Sequence, residues 1–158
     1  MSKFKLHLRR GLARHATLRK TLCAVKTLSD MKNSYVSELA DHIEQLLPNI
    51  SSHQSVNIKA EVPILNRRPD FLIHIPNKAL ILLEYKTSVQ TLCIRSSYLK
   101  QTLDTFRKVS LQNRRQGCDS MESIKLISLL LIRNPSSKQN RVICLKVTDI
   151  GNRPFFFE

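Results

Sequence analysis

The chain contains no tryptophan, no paired cysteines, no long apolar run and few acids, 12 against 26 lysines and arginines. Each shortage excludes a class of protein. With three tyrosines and six phenylalanines the chain has few platforms for stacking bases, and no segment looks like a dedicated base reader. Cys23, Cys93, Cys118 and Cys144 are widely spaced, form no Cys-x-x-Cys pair and have no histidine at zinc-finger spacing. They read as free thiols of a reducing intracellular compartment rather than a disulfide framework or zinc site. No stretch approaches the roughly 20 apolar residues of a membrane-spanning helix, and lysines and arginines interrupt any signal-peptide core near the N-terminus. No linker, repeat or low-complexity tract appears, so residues 1–158 read as one domain, with 42% apolar residues to build its core.

The shortage of acids leaves a net charge of +14 and a pI near 10.1. Such an excess calls for an anionic partner. Nucleic acid is the commonest one, and an acidic membrane surface is the alternative. Lys3, Lys5, Arg9, Arg10, Arg14, Arg19, Lys20 and Lys26 precede the first acid. Leu18, Leu22, Val25 and Leu28 recur at helical spacing, which predicts one basic amphipathic helix over about 12–28, suited to phosphate contact or nuclear targeting. A second helix is expected from Asn33 or Ser34 to Leu47, ended by Pro48. Its Glu38 and Glu44 read as solvated surface acids ahead of extra metal ligands. A strand follows over about 55–64, with Val56, Ile58, Ala60, Val62 and Ile64 on one face and Glu61 on the other.

The richest segment is 61-EVPILNRRPDFLIHIPNKALILLEYKTS-88. It reads as a hairpin, Asp70 to Ile75 and Ala79 to Tyr85, turning at Pro76-Asn77-Lys78. If Ile75 faces Ala79, then Phe71 faces Leu83 and Asp70 faces Glu84. Opposed Cβ atoms lie roughly 5 Å apart, close enough for two carboxylates to share a cation. Glu84 and Lys86 alternate onto one face. Opposed acids repel unless a cation lies between them, and Mg²⁺ takes one or two carboxylates with water and phosphate. Lys86 is then placed to orient the attacking water or to stabilise developing negative charge. The competing reading is a strand end whose acids and lysine pair off at the surface. The apolar run Leu80 to Leu83 argues against it, because an acid and a lysine ending a buried strand are costly unless used. Glu61 is either a third carboxylate of this site or an ion-pair partner of Arg67 or Arg68.

Beyond the hairpin a helix is predicted over about 95–113. Leu99, Thr102, Leu103, Phe106, Val109 and Ser110 form its inner face, and Arg95, Lys100, Arg107, Lys108, Arg114 and Arg115 its basic outer face. Strands follow over about 123–132 and 141–148. The order predicts a mixed sheet with helices on both faces.

In this arrangement 61-EV-62, 67-RRPD-70, 84-EYKT-87 and the Lys100-Gln101 helix resemble the nuclear protein family conserved across alpha-, beta- and gammaherpesviruses. The early 11-GLARH-15 is similar to that family's Gly-x-x-x-His segment. The resemblance spans roughly residues 11–147 and is strongest over 61–70 and 82–88. It implies an α/β restriction-endonuclease-like domain of the PD-(D/E)xK superfamily, with an αβββαβ core, an extra N-terminal helix and a C-terminal strand. It further implies an endonuclease dependent on Mg²⁺ or Mn²⁺. Asp70, Glu84 and the Tyr85 carbonyl would hold the metal, Lys86 would be catalytic, and Glu61 and Gln101 auxiliary. Arg67, Arg68, Lys100, Arg107 and Lys108 would contact nucleic acid, DNA ahead of RNA. The family accumulates in the host nucleus and nucleolus and is associated with nucleolar disturbance and host cell-cycle arrest. The rival expectation is a non-catalytic protein of this fold that binds nucleic acid or host nucleolar proteins. One departure is Thr105, where some nuclease branches have tyrosine four residues after the helix glutamine.

Overall fold

The hairpin forms with the register expected from the alternation of its residues. A computed structural model describes residues 15–63, 68–87, 96–115 and 123–151. In it β2 (Phe71–Ile75) runs antiparallel to β3 (Ala79–Thr87), with Ile75 opposite Ala79 and Phe71 opposite Leu83. The Lys78 amide closes the turn on the Ile75 carbonyl at 3.0 Å. Asn77 takes the left-handed conformation, φ 62°, that asparagine tolerates better than most residues.

β1 (Asn57–Ala60) pairs antiparallel with β2. The helix α4 (Ser96–Arg115) lies in the crossover to β4 (Ser123–Arg133), which runs parallel to β3. β5 (Asn140–Gly151) returns antiparallel to β4. The result is an α/β protein with a five-stranded mixed sheet in the order β1-β2-β3-β4-β5. Helices α1 (residues 15–23), α2 (Leu28–Lys32) and α3 (Ser37–Leu46) bring Leu18, Leu22, Met31 and Ile43 against Phe71, Ile73, Ile81 and Leu83. On the other face Phe106 and Val109 of α4 pack on Leu72, Leu80, Leu82 and Leu126. Ala79 to Leu83 are buried throughout, as a strand covered on both faces requires.

Several boundaries differ from the sequence expectation for local reasons. The single N-terminal helix breaks after residue 23, because Thr27 caps α2 instead of continuing α1. The Thr27 hydroxyl accepts from the Asp30 amide, and the Asp30 carboxylate accepts from the amides of Thr27 and Lys26. Those amides, Lys26 first, hold the Asp30 carboxyl below its usual range. The second helix starts at Ser37, since the Ser34 hydroxyl turns the chain by accepting from the Val36 amide and donating to the Met31 carbonyl. β1 ends at Ala60 because Glu61 adopts φ 54°. That reversal breaks the expected alternation: Ala60 packs on the α1–α3 side and Val62 on the α4 side. On α4, Leu103 is 37% exposed, whereas Thr105 is buried. Cys23 and Cys144 are free thiols, and burial raises the Cys144 pKa. Cys93 and Cys118 lie outside the described residues.

Two stability predictions follow from burial. The Ser128 hydroxyl in β4 is fully buried and has no hydrogen-bond partner among the described residues. Desolvating such a group costs about 1–3 kcal/mol, so Ser128→Ala is expected to leave stability unchanged or raise it by about 1 kcal/mol in urea denaturation. A loss of that size would show that the hydroxyl is satisfied. Burial, followed by the charge of Lys59, depresses the His74 pKa. The unfolded chain therefore binds a proton more readily than the folded one. This contribution is present above the unfolded pKa of about 6.5 and is lost as pH falls through the folded value. Melting temperature is expected to fall on acidification from pH 7.5 to 5, and less in His74→Gln.

Candidate functional site

Asp70 occupies the bend that leads into β2. The ladder ends at the Phe71–Leu83 pair, and the next residues along the chain are Asp70 on one side and Glu84 on the other. Asp70 is tied to the facing strand, since its Oδ2 accepts from the Tyr85 amide at 2.8 Å. In an extended strand the N–H and C=O of one residue point to the same side. The Tyr85 carbonyl therefore faces the Asp70 side as well. Alternation places Glu84 and Lys86 on the α4 face with Leu80 and Leu82, and turns the Tyr85 ring and Thr87 towards α1–α3. Glu84 and Lys86 are both half-buried, beyond the fully covered part of β3.

Glu61 adjoins Asp70 on the other side. Its amide donates to the Asp70 carbonyl at 3.1 Å, extending the β1–β2 pairing by one residue. Its left-handed backbone swings the carboxylate towards α1, where Oε2 lies 3.9 Å from Arg19. Arg19, not Arg68, is thus its ion-pair partner, and Arg67 lies outside the described residues. With the two side chains 61% and 63% exposed, this pair contributes little to stability. Glu61 therefore sits beside Asp70 without being locked away from a cation. A cavity of about 220 Å³ opens here, with His15, Arg19, Glu61 and Asp70 in its wall. The His15 ring packs on Tyr85 at 5.1 Å, tilted by 58°.

Other expected positions fall further along. Lys100 is exposed on α4, and Gln101 lies in that helix's second turn. Arg107 and Lys108 share the carboxylate of Asp104, at 3.7 and 3.4 Å, so part of the expected basic face is internally compensated. Glu38 accepts from the Asn140 side chain and Glu44 pairs with Lys32, which leaves both in surface roles on α3. His15 carries a weak sequence signal in Gly-x-x-x-His. Arg19 carries none beyond its charge, because its neighbourhood depends on how α1 packs.

The donor set suits a hard cation. Among the described residues no group of three or more His, Cys, Asp or Glu side chains is placed to hold a metal. Asp70, Glu84 and the Tyr85 carbonyl would offer two carboxylates and a carbonyl, a partial shell of the kind that Mg²⁺ completes with water and phosphate. The bond from Tyr85 uses one of about four lone-pair sites of the Asp70 carboxylate, so the group keeps capacity to ligate. Among the described residues no helix is long and apolar enough to cross a membrane. No family model matches the sequence, and no curated protein matches it.

Three substitutions test the arrangement. Asp70→Ala is expected to speed amide hydrogen exchange at Tyr85, followed by NMR, while Ile73 and Ile81 in the paired ladder stay protected. Asp70→Asn and Glu84→Gln are each expected to weaken Mn²⁺ binding, read by electron paramagnetic resonance, by at least about tenfold, in line with the loss of a charged ligand. Unchanged binding in both would remove the site.

Proposed function

We propose that this protein is a metal-dependent nuclease of the PD-(D/E)xK class, with a restriction-endonuclease-like fold, related to the conserved herpesvirus nuclear protein family. It would act on nucleic acid in the host nucleus and nucleolus. One observation carries the reading: the Asp70 carboxylate is held on the Tyr85 amide, which joins the Pro-Asp turn to the Glu-x-Lys strand. A purely structural strand end has no need of an acid and a lysine where the burial of β3 ends, with a second acid bonded to the backbone between them.

Asp70, Glu84 and the Tyr85 carbonyl would hold Mg²⁺ or Mn²⁺, with Glu61 beside them. The metal, when bound, lowers the pKa of water and neutralises charge on a phosphodiester. Lys86, on the same face as Glu84, orients the attacking water by hydrogen bonding or offsets charge on the phosphate oxygens. Asp70 needs little reorganisation, because its orientation is already set by a backbone amide. The chain's +14 charge supports contact with backbone phosphates without reading sequence, with exposed Arg68 and Lys100 among the residues expected to make it.

The protein is expected to nick plasmid DNA or cleave RNA with Mg²⁺ or Mn²⁺ and to stop in chelator. Lys86→Ala is expected to lose at least about 10²-fold in rate while keeping its fold and metal affinity. Nucleic-acid affinity is expected to fall steeply with added salt. Parent-like cleavage by Lys86→Ala would reduce Lys86 to a structural counter-ion. If no substrate is cleaved, while parent and Lys86→Ala disturb nucleoli equally in cells, the non-catalytic interaction protein replaces the enzyme.

A further inference from the structure

A second cavity, of about 240 Å³, lies on the α1–α3 side at the carboxyl ends of the parallel strands β3 and β4. It is lined by Thr17, Tyr35, Tyr85, Thr87, Arg133 and Pro135. Tyr85 connects it to the candidate metal site, because its amide holds Asp70 while its ring walls the cavity. Outside the carboxyl ends of strands is where open α/β sheets place ligands.

Arg133 is the charged group of this cavity and is held in place from two sides. Its guanidinium lies over the Tyr35 ring, 4.6 Å from the centroid, and Nη1 donates to Asn140 Oδ1 at 2.9 Å. Asn140 is anchored in turn, donating to the Tyr35 carbonyl at 2.7 Å and to Glu38 at 3.1 Å. Asn140, which Nη1 bonds, is a neutral amide, so this contact orients the positive charge without cancelling it. A planar guanidinium set against aromatic and proline walls combines phosphate binding with a surface for a flat ring. The volume lies below the roughly 300–1,000 Å³ of drug-sized ligand sites. A single unpaired base fits that scale, with its phosphate left at the cavity mouth.

We propose that this cavity takes one unstacked nucleotide of a single strand, its phosphate on Arg133 and its base against the tyrosine and proline walls. The proposal rests on the nuclease reading for its substrate class and deepens it: the preferred substrate is single-stranded, or locally opened, next to the bond to be cut. A base leaves its stack at little cost where it is already unpaired.

The test is binding of the full chain, in chelator, to a fluorescent single-stranded oligonucleotide and to its duplex, followed by anisotropy. Tyr35→Ala and Arg133→Ala are each expected to weaken single-strand binding about 5- to 160-fold, the range of one lost base stack, and to change duplex binding less than twofold. Tyr35→Phe should bind as the parent does. A strand carrying 2-aminopurine should change its fluorescence with the parent and not with Tyr35→Ala. Circular dichroism melting checks that Arg133→Ala is folded, and Tyr35→Ala carries the test if it is not, since Tyr35 is already 37% exposed. Equal losses on single strand and duplex, or no loss on either, would overturn the proposal. Because binding is read without metal, a failure to cleave bears on the proposed function and leaves this result standing.

Discussion

Leu80, Ile81, Leu82 and Leu83 are covered on both faces of the sheet, and a charge among them would have no solvent and no partner. β3 can carry polar chemistry only where that cover ends, at Glu84 and Lys86. The same burial makes β3 the strand against which the others are placed: β2 pairs along one edge and β4 along the other. The Asp70–Tyr85 bond lies at this boundary. It closes the open end of the hairpin with a carboxylate where a plain backbone pair would otherwise continue.

The α1–α3 side gives this boundary its shape. Glu61 leaves the strand conformation as β1 ends, so its carboxylate meets Arg19 of α1 while its amide keeps hold of β2. His15 covers the Tyr85 ring. One cavity has His15 in its wall and the other has Tyr85, so the two flank the contact between these rings. The basic residues around the site do different work. Arg107 and Lys108 spend part of their charge on Asp104, whereas Arg133 is oriented by an aromatic ring and an amide. The former suits general attraction to phosphate, the latter a defined subsite.

The hairpin was legible in the sequence because its determinants are local. A short turn with asparagine at the left-handed position, a period-two pattern and an apolar run leave one register, since a slip by a single residue would turn every side chain to the wrong face. That register ends at Phe71 and Leu83, one residue short of Asp70 and Glu84, and alternation puts Lys86 on the face of Glu84. The inner face of α4 followed from helical spacing except at Leu103, whose exposure depends on how the helix sits on the sheet. The break after residue 23 was signalled only by Thr27 and Asp30, a short capping pattern set against a longer helical repeat.

What the sequence determined by itself, then, was the α/β character, the central hairpin and the order of its acids and lysine, all consequences of contacts between residues close along the chain. Tertiary structure alone decided that Glu61 would turn to Arg19, that His15 would cover Tyr85, and that Tyr35, Tyr85 and Arg133 would share a cavity. Thr87 meets Arg133 only because β4 lies parallel to β3 after the α4 crossover. Such convergence depends on the packing of whole helices against the sheet, and no local pattern of residues encodes where a distant element will come to rest.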